Sequence, residues 1–325
     1  IGYGAASGAA DIGDQNVAIG YLAGKVSTGN YNVFVGASAG LAASSTTLST
    51  IVGKEAGQGV MTGGSNSLFG YRAGYSLTSA HDNTIIGKEA AQNATTVMRE
   101  SVIIGMQAMN SYTTNSSHGR FTVVGAGAGF TNTSTNSGKN NYTAIGYQAG
   151  YSDKSDANHQ LFGASAGYNL SGTLAEAADG CTFVGNSAGK GDTLGFIASD
   201  TTGVGKGVFG DDARYSLADV FIGARAGNGY VSGSFNVAIG YDAMRFAGFA
   251  TLGALENVAI GYQAGNSLGR HAAATGTVAI GKRAGYNVSG GSKNVYIGYD
   301  AGPSSATATE SNALYIHNAA GTPLI

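Results

Sequence analysis

One short phrase returns along the whole chain. It consists of a small polar residue, two or three apolar residues, a glycine, two variable residues, an alanine and usually a second glycine. The clearest copies are Asn16-Val-Ala-Ile-Gly-Tyr-Leu-Ala-Gly24, Asn257-Val-Ala-Ile-Gly-Tyr-Gln-Ala-Gly265 and Asn294-Val-Tyr-Ile-Gly-Tyr-Asp-Ala-Gly302. Aligned on the central glycine there are seventeen copies, from Gly2 to Gly298, spaced 16 to 22 residues apart. A register held over a whole chain means stacked units, each burying a face on its neighbours. The 325 residues are therefore read as one repeat array rather than as two or three globular domains.

Composition narrows the class. The 55 glycines follow no Gly-X-Y period, which excludes collagen. Charged residues are 11% of the chain, far below the usual ~25%; the regular apolar positions nevertheless supply a buried face, which argues against disorder. Net charge is −2 and the basic residues are scattered, so no cluster exists to neutralise the phosphates of a nucleic acid. No apolar run approaches the ~20 residues of a membrane span. Cys181 is the single cysteine, so no internal disulfide can form. Ile1 opens inside a repeat and the chain stops at Ile325 without polar closure, which leads us to expect a segment of a longer protein: repeats over 1–302, and a transition segment, 303–325, leading onward.

The residues before each central glycine are β-branched or aromatic, in runs too short for a helix and bounded by Asn and Gly, which is a strand signal. Because consecutive residues are apolar, both faces of the strand should be covered. The Ile, Val or Phe just before the glycine is expected to point into the coil. The residue two before it would then form an outward stripe, Phe34, Ile51, Leu68, Ile85, Ile103, Val123, Leu161, Phe183 and Phe221, available to an axis shared between copies. Gly203 is the exception in that row.

Alanine three residues after the glycine, with Val208 the one departure, implies an interior too narrow for more than a methyl group. The glycine that follows suits a turn with positive φ. Each coil is thus expected to hold two short strands and two turns. Longer steps add residues after the Ala-Gly turn, and these are expected to project from one edge. Thr131, Asn132 and Lys139 in one such insertion, and Arg245, Phe246 and Phe249 in another, are the candidates for receptor contact.

The phrase Asn-Val-Ala-Ile-Gly with a small residue three later resembles the head repeat of trimeric autotransporter adhesins and similar repeats in bacteriophage tail fibres. Asn312-Ala-Leu-Tyr-Ile-His-Asn-Ala-Ala-Gly-Thr-Pro-Leu324 is similar to the segment that follows such repeats in phage fibres. The resemblance implies an all-β fold: a left-handed parallel β-solenoid (β-roll) of about seventeen short coils, packed as a homotrimer. The longer repeat, the Ala-Gly after the strand and the missing heptads favour the phage version. It implies a non-enzymatic extracellular fibre segment of a virion, bound to flanking fibre or tail proteins and contributing to attachment at a host glycan or outer-membrane protein. The alternatives are an adhesin head on a bacterial surface and, less favoured, a polysaccharide-degrading tailspike.

No grouping suggests catalysis, a cofactor or a metal. Asp211-Asp212, Asp153 with Asp156, and the pairs Lys54-Glu55 and Lys88-Glu89 are the densest charges; a glycosidase needs two carboxylates ~5–9 Å apart with one desolvated. The five histidines share no ligand spacing. Gly125-Ala-Gly-Ala-Gly129 is one copy of the repeat rather than a phosphate loop, since no helix is expected after it.

Overall fold

The computed structural model describes all residues except 9–12, 95–97, 114–118, 134–140, 154–157, 171–179, 192–196, 211–214, 249–253, 306–307, 317 and 319–325. The described residues contain strands and turns and no helix. They form two compact units, residues 1–159 and 160–325.

Each unit is a parallel β-solenoid. In the first, the strands Val17–Ile19, Val33–Val35, Thr50–Val52, Ser67–Phe69, Thr84–Ile86, Val102–Ile104, Arg120–Val124 and Asn141–Ile145 follow one another, each paired in register with the strand one repeat later. In the second, the ladder runs through Gln160–Phe162, Thr182–Val184, Thr202–Val204, Val220–Ile222, Val237–Ile239, Val258–Ile260, Val278–Ile280, Val295–Ile297 and Leu314–Ile316. The last strand lies beyond residue 302, so the ladder continues into the segment expected to be a transition. The second strand of each coil is present only in part. Ser111–Thr113, Thr131–Thr133 and Ser152–Asp153 form a short ladder in the first unit. Six strands from Ile197–Ser199 to Gly291–Ser292 form another in the second. Elsewhere turns close the coil.

The facing of the strand is the reverse of the expected one. Phe34, Ile51, Leu68, Ile85, Ile103, Val123, Leu161, Phe183 and Phe221 lie inside their own coils, with at most 1% of their surface exposed. They fill the core of a single chain and have no surface to offer a second copy. The Ile, Val or Phe next to the glycine points outward instead. Strand parity explains why. Side chains alternate, so the middle strand residue shares a face with the asparagine two positions earlier, and that asparagine is buried for a reason.

Asn32, Asn66, Asn83, Asn236, Asn257 and Asn294 are buried and stand in one column per unit. Each Oδ1 accepts the backbone N–H of the equivalent residue in the next coil: Asn32 from Ser49 at 3.0 Å, Asn83 from Ser101 at 3.1 Å, Asn257 from Thr277 at 2.9 Å. Each Nδ2 donates to a backbone carbonyl further along the chain, as Asn66 does to Ala80 at 2.7 Å and Asn257 to Ala274 at 3.0 Å. A carboxamide offers a donor and an acceptor on two separate atoms, so it can reach two backbone groups at once. A buried backbone group without a partner would be costly, so the column goes inside and takes the middle strand residue with it.

The corners are set by backbone as much as by side chains. The central glycine has φ near +135°: +131° at Gly20 and +138° at Gly53. A Cβ on Gly53 would lie 2.3 Å from the carbonyl oxygen of Gly70 in the next coil. Two positions later comes a left-handed residue that need not be glycine, such as Glu55, Arg72 or Asp242.

Alanine three after the glycine is fully buried in coil after coil, Ala23, Ala56 and Ala264 among them, as a narrow interior requires. The two exceptions in the sequence belong to one coil and complement each other. Gly203 leaves out the middle side chain, and Val208 with Phe209 fills the space. Phe209 stacks on Phe221 at 4.4 Å and meets Phe183 edge-on at 6.1 Å. Where the middle residue is aromatic, at Phe34, Phe183, Phe221 and Tyr296, the residue after the alanine is glycine: a Cβ on Gly227 would meet Phe221 at 2.2 Å.

Candidate interaction surfaces

The first and third residues of each strand project from the ladder as two rows. From Val220 to Ile297 in the second unit both rows are aliphatic in every strand: Val220 and Ile222, Val237 and Ile239, Val258 and Ile260, Val278 and Ile280, Val295 and Ile297. The isoleucines of this row are 36–38% exposed. In the first unit the first row is mixed, Val17, Val33 and Val102 standing with Thr50, Ser67, Thr84, Thr122 and Thr143, and the other row holds Ile19, Val35, Val52, Phe69, Ile86, Ile104, Val124 and Ile145. A row of β-branched residues left partly wet on one chain is a surface suited to burial.

A second surface follows the glycine. Tyr241 and Tyr262 stack at 5.5 Å, and Lys282 lies 5.9 Å from Tyr262 and 5.1 Å from Tyr299. One position on, opposite charges pair along the ladder. Glu55 accepts from Arg72 at 2.6 Å, and Asp242 receives a bidentate contact from Arg225 at 2.8 and 2.6 Å. Lys54 and Lys88 are exposed and pair with their neighbours Glu55 and Glu89 at 3.5 and 3.7 Å, and Lys54 also lies 5.9 Å from the Tyr71 ring; these pairs are a solvated corner, as their sequence position suggests.

The candidate contact loops are divided. Thr131 and Asn132 belong to the strand Thr131–Thr133, whose neighbours are Ser111–Thr113 and Ser152–Asp153; they are part of a ladder rather than of a projecting loop. Lys139 and Phe249 lie outside the described residues. Arg245 and Phe246 are partly exposed, but Met244 and Ala247 on either side are fully buried. The apolar character of this insertion therefore arises in part from core residues rather than from a flap.

Buried polar groups stand where the asparagine column is replaced. In the first unit Asp153 and His159 are both fully buried with Nε2 to Oδ2 at 4.0 Å, and burial, then the Asp153 charge, push the Tyr142 hydroxyl well above its ordinary pKa. Asp153 is thereby closed off from any substrate. Asp156, Asp211 and Asp212 lie outside the described residues. In the second unit Asp219 takes the asparagine position. Its Oδ1 accepts from the Asn236 backbone and side chain at 2.7 and 3.0 Å, its Oδ2 from Ser216 at 2.6 Å and Tyr230 at 3.1 Å. Burial raises its pKa against the lowering effect of these four donors. The repeat register already sets Asp219 level with Asn236 and Asn257; the Ser216 and Tyr230 partners are visible only in three dimensions. Among the described residues no three His, Cys, Asp or Glu side chains converge to hold a metal, and no helix is long and apolar enough to cross a membrane.

Comparison with protein-family models, with curated proteins and with solved structures finds no match to this chain.

Proposed function

We propose that this chain is a structural, non-enzymatic segment of an extracellular attachment fibre of the phage tail type, working as a parallel homotrimer joined to flanking fibre or tail proteins. One observation carries the reading: a solenoid that buries its own core still leaves two unbroken aliphatic rows, Val220 to Ile297, on the outer side of its ladder. Three such faces turned to a common axis would remove both rows from water at ~25 cal/mol per Å². The resemblance of Asn-Val-Ala-Ile-Gly to adhesin and fibre repeats supports three copies rather than two. The corners and insertions then face outward, where three copies of each weak contact with a host surface would add avidity. A surface adhesin of bacterial origin would use the same geometry.

The experiment is sedimentation of the purified chain together with adsorption to candidate host cells. A trimer that adsorbs without releasing oligosaccharide supports the reading. A folded monomer sinks the assembly, and reproducible release of oligosaccharide favours the tailspike instead.

A further inference from the structure

Two guanidinium groups converge on Phe246. The Arg245 Cζ lies 4.5 Å and the Arg270 Cζ 5.6 Å from the centre of its ring. The ring is seated by a glycine one coil earlier: a Cβ on Gly229 would come within 2.9 Å of Phe246 Cδ1. The Gly229 N–H also donates to the Arg245 carbonyl at 2.6 Å. The backbone thus holds the arginine and the phenylalanine side by side at one corner of the second unit.

The charge at this corner is unbalanced. Asp242 is its one carboxylate in contact, and Arg225 already takes both oxygens. Arg245 Nε stands 3.7 Å from Asp242 Oδ1, beyond hydrogen-bond distance, and that nitrogen is shut off from solvent without a partner. The rest of the Arg245 side chain keeps 27% exposure. Arg270 is exposed and has no ion pair among the described residues. Three arginines therefore share the single Asp242 carboxylate or lack one: Arg225 takes both its oxygens, Arg245 keeps only a long ion pair to it and Arg270 has none among the described residues, so the corner is a net-positive and aromatic surface on a chain whose net charge is −2.

We infer that Arg245, Phe246 and Arg270 form a binding site for an anionic polysaccharide. The guanidinium groups take its carboxylate or phosphate oxygens, and the exposed part of the Phe246 ring gives the sugar's C–H groups an apolar surface to pack on. Two cations, one of them already in a long ion pair with Asp242, are too few for a nucleic acid, whose affinity comes from neutralising many phosphates. They suit a polymer that carries one anion per sugar or per few sugars and meets several copies of the site. The inference rests on the attachment reading for the claim that a glycan is what this surface meets; the chemistry of the site is independent of it.

The test is titration of the purified full chain with polygalacturonate, with phosphorylated mannan and with neutral dextran, at low and at high salt. Binding to polygalacturonate or to the phosphomannan, weakened by salt and absent with dextran, is expected; which of the two binds identifies carboxylate or phosphate as the anion. Arg245→Gln with Arg270→Gln should weaken it by about tenfold or more while the circular dichroism stays unchanged. Phe246→Leu, which keeps both charges, should weaken it less. No binding to either anionic polymer, or binding that survives the double substitution, overturns the inference. A chain that is trimeric and adsorbs to cells yet binds neither polymer would overturn this site while leaving the attachment reading in place.

Discussion

Asn66 and Asn83 are joined across adjacent coils by two hydrogen bonds: Asn66 Oδ1 accepts from the Asn83 backbone N–H at 3.2 Å and from its Nδ2 at 3.0 Å. With the bond from Asn66 Nδ2 to the Ala80 carbonyl, one side chain satisfies three buried groups in two places along the chain. Asn66→Leu should therefore cost about 3 kcal/mol, since buried groups left without partners cost ~1–3 kcal/mol each. Asn66→Ser should cost about 1 kcal/mol, because Ser49 and Ser101 already do the acceptor part of this work, taking the N–H of Asn66 and of Phe121 at 3.1 Å. Chemical denaturation of the two variants, with exchange of the Asn83 amide as the local probe, checks both.

Ile85 and Ile86 are adjacent in sequence and opposite in facing, 0% and 39% exposed. Ile85→Asp puts a charge into the coil and should prevent folding, at a cost above ~4 kcal/mol. Ile86→Asp should leave the circular dichroism of the coil intact and shift sedimentation towards the monomer. Equal effects of the two substitutions would contradict the facing described here.

Gly53 and Gly127 separate two uses of glycine. At Gly53 a Cβ would strike the Gly70 carbonyl, whereas at Gly127, with φ +63°, the nearest atom to a Cβ is 3.5 Å away. Gly53→Ala should destabilise by about 3 kcal/mol or more. Gly127→Ala, at a corner position where Arg72 and Gln148 already adopt the left-handed conformation, should cost about 1 kcal/mol. Thermal unfolding of both variants measures the difference.

Asp219 makes stability depend on pH in a stated direction. Its folded pKa is raised, chiefly by burial, so the folded chain binds the proton more readily than the unfolded chain. Its unfavourable contribution is present at neutral pH and is relieved as the pH falls through the raised value. Asp219→Asn keeps the acceptor for the Asn236 N–H and removes the buried charge. It should melt higher than the parent at pH 7, and the difference should shrink in acid. Melting curves of both proteins from neutral pH down into acid measure it; a difference that stays constant as the pH falls would refute this role.

The amino-acid sequence alone determined the repeat, its strands, the glycine corners and the narrow alanine row. Each of these is a local demand: a β-branched run favours a strand, a positive φ favours glycine, and a fixed spacing brings like residues into one column. Which face of the strand goes inside was decided only in three dimensions. Val17, Ala18 and Ile19 are all apolar, so hydropathy does not choose between Ala18 and its two neighbours. The choice is made by Asn16 and its equivalents, whose side chains must reach the backbone of the next coil, and parity then carries the middle residue inward. One signal of this was already present. The middle residue varies from Gly203 to Tyr296, and a varying core position is tolerated when a neighbour such as Phe209 compensates its volume. The surface at Arg245, Phe246 and Arg270 was only half visible for the same reason. The spacing marked Arg245 and Phe246, but Arg270 and the seat at Gly229 come from neighbouring coils and meet them only when the coils stack.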